Sequence, residues 1–94
     1  MSRIQKQENG EMRMPDLGPV FGGVLRSYRL ARNLTQEELS LRSNLDRMFV
    51  SRMERGLQRP SLVAVFIIAE TLEVPATEII AEVEAMLKLK SGQG

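Results

Sequence analysis

From residue 20 onward, apolar positions recur at helical spacing in five groups, separated by short polar breaks or by breaks that carry glycine or proline. Phe21, Leu25 and Tyr28 fall at i, i+4 and i+7, one face of a first helix ending near Asn33, a residue able to take the left-handed cap conformation. Thr35 and Glu38 have the Thr-x-x-Glu spacing of a capping box and open a second helix that runs to about residue 43. Asn44 tolerates the positive φ of a tight turn. Asp46 caps a third helix, which continues through Arg55 with Leu45, Val50 and Met53 inward and stops at Gly56 in the left-handed region. Pro60 and Ser61 open a fourth helix whose inward face is read as Leu62, Val65, Phe66, Ala69 and Leu72. Glu73-Val74-Pro75 separates it from a fifth helix, which begins near Ala76, turns Ile79 inward and continues through Lys90. No strand period or internal repeat interrupts this pattern. Residues 1–19 mix charge with Gly10, Pro15, Gly18 and Pro19 and show little apolar period, so they read as a flexible arm ahead of one all-α domain at 20–90.

Ninety-four residues, 43% of them hydrophobic, suffice for one small helical core. Cysteine and histidine are both absent. That removes disulfides, zinc-finger ligands, thiol nucleophiles and the commonest general base together. Glu37 with Glu38, and Glu82 with Glu84, are carboxylate neighbours without the partners that a hydrolytic or metal site needs. Gly22-Gly23 falls inside the first helix and is not a phosphate-binding loop. The sequence therefore predicts no enzyme, no cofactor, no metal and no small-molecule ligand. The longest apolar run, at positions 62–69, is far short of the roughly 20 residues that a membrane span requires, and residues 4–14 carry charge throughout. A cytoplasmic protein with no membrane partner is expected.

Net charge is only +1, but its distribution is uneven. Between positions 26 and 59 stand eight arginines against Glu37, Glu38, Asp46 and Glu54; between 60 and 87 stand five glutamates and no base. The middle of the chain is built to meet a polyanion and its end is not.

Leu34-Thr35-Gln36-Glu37-Glu38-Leu39 and Glu54-Arg55-Gly56, with the turn Asn44-Leu45 between them, resemble the phage-repressor-like (Xre/Cro) helix-turn-helix family over roughly residues 20–87. The resemblance implies a five-helix, lambda-repressor-like DNA-binding domain whose second and third helices form the helix-turn-helix. The family usually has glycine where this chain has Asn44, and alanine where it has Ser40; the Ser40 hydroxyl is expected to bond the carbonyl one turn earlier. In such a domain the third helix enters the major groove, so its outward residues Arg47, Met48, Ser51 and Arg52 are the expected base readers. Arginine can fork onto guanine, serine can donate or accept, and Met48 can press on a thymine methyl. Phosphate contacts are expected from Thr35 and Gln36 at the start of the second helix, from Arg42, and from Arg55, Gln58 and Arg59. The resemblance also implies a structural salt bridge between Arg29 and Glu54, partly buried and bidentate.

Val63 and Ile67 are apolar where the family ordinarily has polar residues. With Ile80, Val83, Met86 and Leu87 they are expected to form the interface of a symmetric homodimer that reads a palindromic operator in double-stranded DNA. A regulator with no further domain resembles the controller proteins of restriction-modification systems, which act on their own operons. The alternative is a protein-interaction module, antitoxin-like or an adaptor, that keeps the fold and docks a partner through the same stripe. Within the arm, Arg3, Lys6 and Arg13 could reach a minor groove.

Overall fold

The computed structural model describes residues 14–92, which form a short 3₁₀ turn, Met14–Asp16, and five helices. These are α1 (Leu17–Ala31), α2 (Gln36–Ser43), α3 (Arg47–Glu54), α4 (Leu62–Leu72) and α5 (Ala76–Gly92). No strand occurs among the described residues, as expected for an all-α domain. Positions 1–13, which hold Arg3, Lys6 and Arg13, lie outside them.

The start of the first helix needs correction. Positions 14–19 are not part of an arm: α1 begins at Leu17, and Gly18 and Pro19 lie in its first turn. The first N–H groups of a helix have no intrahelical partner, so proline costs nothing there and the apolar period at Val20 marks the second turn.

Local chemistry sets the other boundaries. Asn33 and Asn44 take φ of 56° and 64°, and Gly56 takes 76°. The Thr35 hydroxyl accepts from the Glu38 amide while the Glu38 carboxylate accepts from the Thr35 amide, closing the capping box. Asp46 accepts from the amides of Met48 and Phe49, and Ser61 from that of Ala64. Glu73, not foreseen as a left-handed residue, ends α4 at φ 61°.

α1 packs across both α3 and α5, and α2 packs on α3 and α4. The core gathers Phe21, Leu25, Leu39, Val50, Met53, Ile68, Leu72 and Ile79, with Val83 and Leu87 closing it from α5. At the other end of α5 the Tyr28 hydroxyl donates to Glu78 at 2.9 Å. Burial, together with the hydrogen bond and charge of Glu78, raises the Tyr28 phenol above its ordinary value and keeps it a donor. Arg32 lies over the Tyr28 ring and donates to the carbonyl of Leu72 at the end of α4.

Two side-chain readings in α4 are overturned. Leu62 and Phe66, read as inward, are 66% and 57% exposed, whereas Ala64, Val65, Ile68, Ala69 and Leu72 are buried. The helix is apolar almost all the way round, so its period alone could not fix which face turns in.

Candidate nucleic-acid interface

The turn between α2 and α3 is held by hydrogen bonds from Ser40, Ser43 and the Asn44 backbone. Asn44 in the left-handed region donates its amide to the Ser40 carbonyl. The Ser40 hydroxyl donates forward to the Leu45 carbonyl, across the turn and not back along the helix as expected. The buried Ser43 hydroxyl accepts from the Leu45 amide at 3.2 Å. Serine in place of alanine at position 40 therefore ties the turn that sets the angle between the two helices.

α3 is then fixed from behind. Val50 and Met53 are fully buried beneath it. Arg29 on α1 donates to both oxygens of Glu54, Nε to Oε2 at 2.6 Å and Nη2 to Oε1 at 2.9 Å. Its remaining nitrogen, Nη1, donates to the Leu34 carbonyl at 2.7 Å. The side chains of the pair are only 8% and 2% exposed. The hydrogen bond to Glu54 raises Arg29 above arginine's ordinary value, burial works against it and the Glu54 charge adds to it. α1 can approach this closely because position 22 is glycine: a Cβ there would overlap the Met53 carbonyl oxygen and lie 2.6 Å from that of Glu54. In the sequence Gly22 stands simply as a helix-interior residue, and a glycine in mid-helix is the signal that points to such a contact.

The opposite face of α3 is open. Arg47, Met48, Ser51 and Arg52 fall at spacings that share one side of a 3.6-residue helix, away from Val50 and Met53. Arg47 and Met48 are exposed, Ser51 and Arg52 half-buried. Arg55 caps the same side, and Arg42 on α2 and Arg59 in the following loop are exposed. Between positions 47 and 59 the single acid, Glu54, is the one held by Arg29, so within this stretch the exposed arginines have no free acidic neighbour.

Five expected contact residues, Thr35, Gln36, Arg52, Arg55 and Gln58, are partly engaged by the protein itself, Arg55 through Nε, which donates to the Ser51 carbonyl at 3.4 Å. Thr35 spends its oxygen on the capping box and keeps its hydroxyl proton to donate. Gln36 Nε2 donates to Glu54 Oε1 at 3.0 Å, which leaves its second N–H free. Gln58 accepts from Arg52 Nε at 2.8 Å.

The apolar residues of α4 and α5 do not form the stripe that the sequence implied. Val83 and Leu87 are 7% and 3% exposed and belong to the core of a single copy. Met86 lines a groove of about 460 Å³ on the α1 side, with Val24, Tyr28 and Glu82. Val63 is exposed, Ile67 half-buried and Ile80 exposed. Ile80 shares with Leu62, Pro60, Leu17 and Phe21 the rim of a separate apolar groove of about 240 Å³. The exposed apolar patch thus consists of Leu62, Val63, Phe66 and Ile80. Spacing had found two of these four; the misplaced frame of α4 hid Leu62 and Phe66.

Among the described residues no helix is long and apolar enough to cross a membrane, and no group of acidic side chains is placed to hold a metal ion.

Comparison with known proteins is consistent with this geometry. Residues 25–79 match the family described as Helix-turn-helix. The chain is 29% identical over 65 residues to an uncharacterized HTH-type transcriptional regulator, y4dJ, of Sinorhizobium fredii, covering 69% of this chain and 84% of that one. Among solved structures it is similar to the restriction-modification controller protein C.AhdI from Aeromonas hydrophila, with 41% identity, a TM-score of 0.65, and coverage of 68% of this chain and 96% of that one. It is also similar to the controller protein C.Esp1396I, solved as a tetramer in complex with its natural 35 base-pair operator, with 32% identity, a TM-score of 0.63, and coverage of 71% and 93%.

Proposed function

The chain belongs to the helix-turn-helix family of transcriptional regulators, and from that premise we propose that it binds a palindromic operator as a homodimer, in the cytoplasm, with no cofactor and no chemistry of its own. The observation that carries the reading is the two-sidedness of α3. Its inner face is locked by Val50, Met53 and the Arg29–Glu54 pair, and its outer face offers Arg47, Met48, Ser51 and Arg52 on a rigid cationic helix. Such a helix matches the width of a B-DNA major groove, where arginine forks onto guanine O6 and N7 and methionine meets the thymine methyl. Arg42, Arg55 and Arg59, with the free N–H of Gln36 and the hydroxyl proton of Thr35, supply the phosphate contacts that set register.

Selection from randomised duplexes tests this directly. The protein should enrich a two-fold symmetric site, and Arg47→Ala/Arg52→Ala should bind that site at least about a thousandfold more weakly, since four forked contacts are lost across the dimer at about 1 to 3 kcal/mol each. Arg47 is exposed and Arg52 gives up one part-buried hydrogen bond to Gln58, so the variant should unfold within a few degrees of the wild type. Enrichment of the same site by the double variant would refute base reading by this face.

For the dimer we assign Leu62, Val63, Phe66 and Ile80, with Ile67 at the edge, as the self-complementary surface, and Glu70, Glu73 and Glu84 as its polar surroundings. Sedimentation should show a dimer at low micromolar concentration and a monomer for Val63→Glu/Phe66→Glu. Wild-type protein that stays monomeric at high micromolar concentration would contradict the assignment. The likeness to C.AhdI across nearly its whole length supports an autoregulatory role of the controller type. The selected site should then recur upstream of the protein's own gene.

A further inference from the structure

We infer that Gln58 is a positioning residue for Arg52: it fixes the guanidinium that reads the operator and so determines specificity at one base pair of each half-site. The inference rests on base reading by α3, as proposed above, and starts from how α3 ends. Gly56, in the left-handed region, donates its amide to the Met53 carbonyl, and the Leu57 amide donates to the Arg52 carbonyl. These two bonds are those of a Schellman motif, which turns the chain back on the helix that it has just left. The next residue is Gln58, and its Oε1 accepts from Arg52 Nε at 2.8 Å.

The chemistry fixes which end of the amide does this. A guanidinium has donors only, so the carbonyl oxygen of Gln58 must face it and the amide NH₂ turns away. Arg52 is half-buried while Arg47, five residues earlier, is exposed, and no hydrogen bond within the described residues restrains Arg47. With Nε engaged, Arg52 presents Nη1 and Nη2 as its remaining donors, an end-on fork held in one orientation before DNA arrives. A free arginine loses rotamer freedom on binding, and a tethered one has already lost it. Positioning by Gln58 thus makes Arg52 the sharper of the two arginine readers, and the loop after α3 contributes to sequence choice through Arg52.

The test uses the full chain, a duplex selected by the wild type, and single base-pair variants of that duplex. Gln58→Met keeps size and removes the acceptor; Gln58→Glu keeps the acceptor oxygen and removes the NH₂. Gln58→Met should lose about tenfold of discrimination at the base pair that Arg52→Ala also relaxes and none elsewhere, at an unchanged unfolding temperature. Gln58→Glu should retain the discrimination while binding every duplex more weakly. In an Arg52→Ala background Gln58→Met should add nothing. If instead Gln58→Met weakens binding to all duplexes equally, Gln58 is a phosphate contact and the inference fails while base reading by α3 stands. If the wild type enriches no sequence at all, base reading fails and the inference with it.

Discussion

Gly22→Ala should destabilise the protein by about 3 kcal/mol, the upper end of what forced overpacking of a core costs. Helix propensity argues the other way, since alanine inside a helix is favoured over glycine by about 1 kcal/mol. The steric term wins because the atoms that the methyl group would meet are the carbonyl oxygens of Met53 and Glu54, which belong to helix backbone and cannot rotate aside. Relief requires α1 to move off α3, which also stretches the Arg29–Glu54 pair. Gly23 is the matched control: nothing lies within 4 Å of a Cβ there. Gly23→Ala should therefore be neutral or stabilise by up to about 1 kcal/mol. Thermal unfolding reads both, at roughly 4 to 8 °C per kcal/mol for a domain of this size. Equal midpoints for the two alanine variants would contradict the close approach of α1 and α3.

Glu54→Ala should be at least as damaging, about 3 to 5 kcal/mol, because it leaves the Arg29 guanidinium buried with only the Leu34 carbonyl as partner. It also removes the acceptor that holds Gln36. The loss should come mainly from the orphaned charge and not from the net value of the bridge. Arg29→Met/Glu54→Leu, which removes both charges and keeps apolar volume, should therefore recover at least half of it. A Glu54→Ala midpoint within a degree of wild type would show that the pair carries no such role.

Much of this domain was legible from short-range chemistry. The Thr35 capping box, Asp46 as a cap, Pro60-Ser61 as a helix start, and Asn33, Asn44 and Gly56 as left-handed residues are each decided by a few neighbouring atoms, and spacing reports them directly. What failed depended on distant parts of the chain. The first turn of α1 was missed because Gly18 and Pro19 read as breakers when judged without their place in the helix. The phase of α4 was misjudged because Leu62 through Ala69 offers apolar residues in every direction, and only packing against α2 and α5 chooses Ala64 and Ile68 over Leu62 and Phe66. The same ambiguity led Val83 and Leu87 to be read as interface when they complete the core. The cationic face of α3 was readable as a face, but the hydrogen bonds from Arg52 to Gln58 and from Gln36 to Glu54 join positions separated by a turn or by a whole helix, and no spacing rule announces them.

The central claim is that the α2–α3 face binds duplex DNA through its arginines. The most direct test is fluorescence anisotropy of a labelled duplex carrying the selected site, titrated with the protein across a salt series. If Arg42, Arg55 and Arg59 each neutralise a phosphate in both protomers of a dimer, the plot of log affinity against log salt should have a slope of about −5, and Arg59→Ala should reduce its magnitude by about two. Binding that is insensitive to salt, or a slope that Arg59→Ala and Arg55→Ala leave unchanged, would contradict the account.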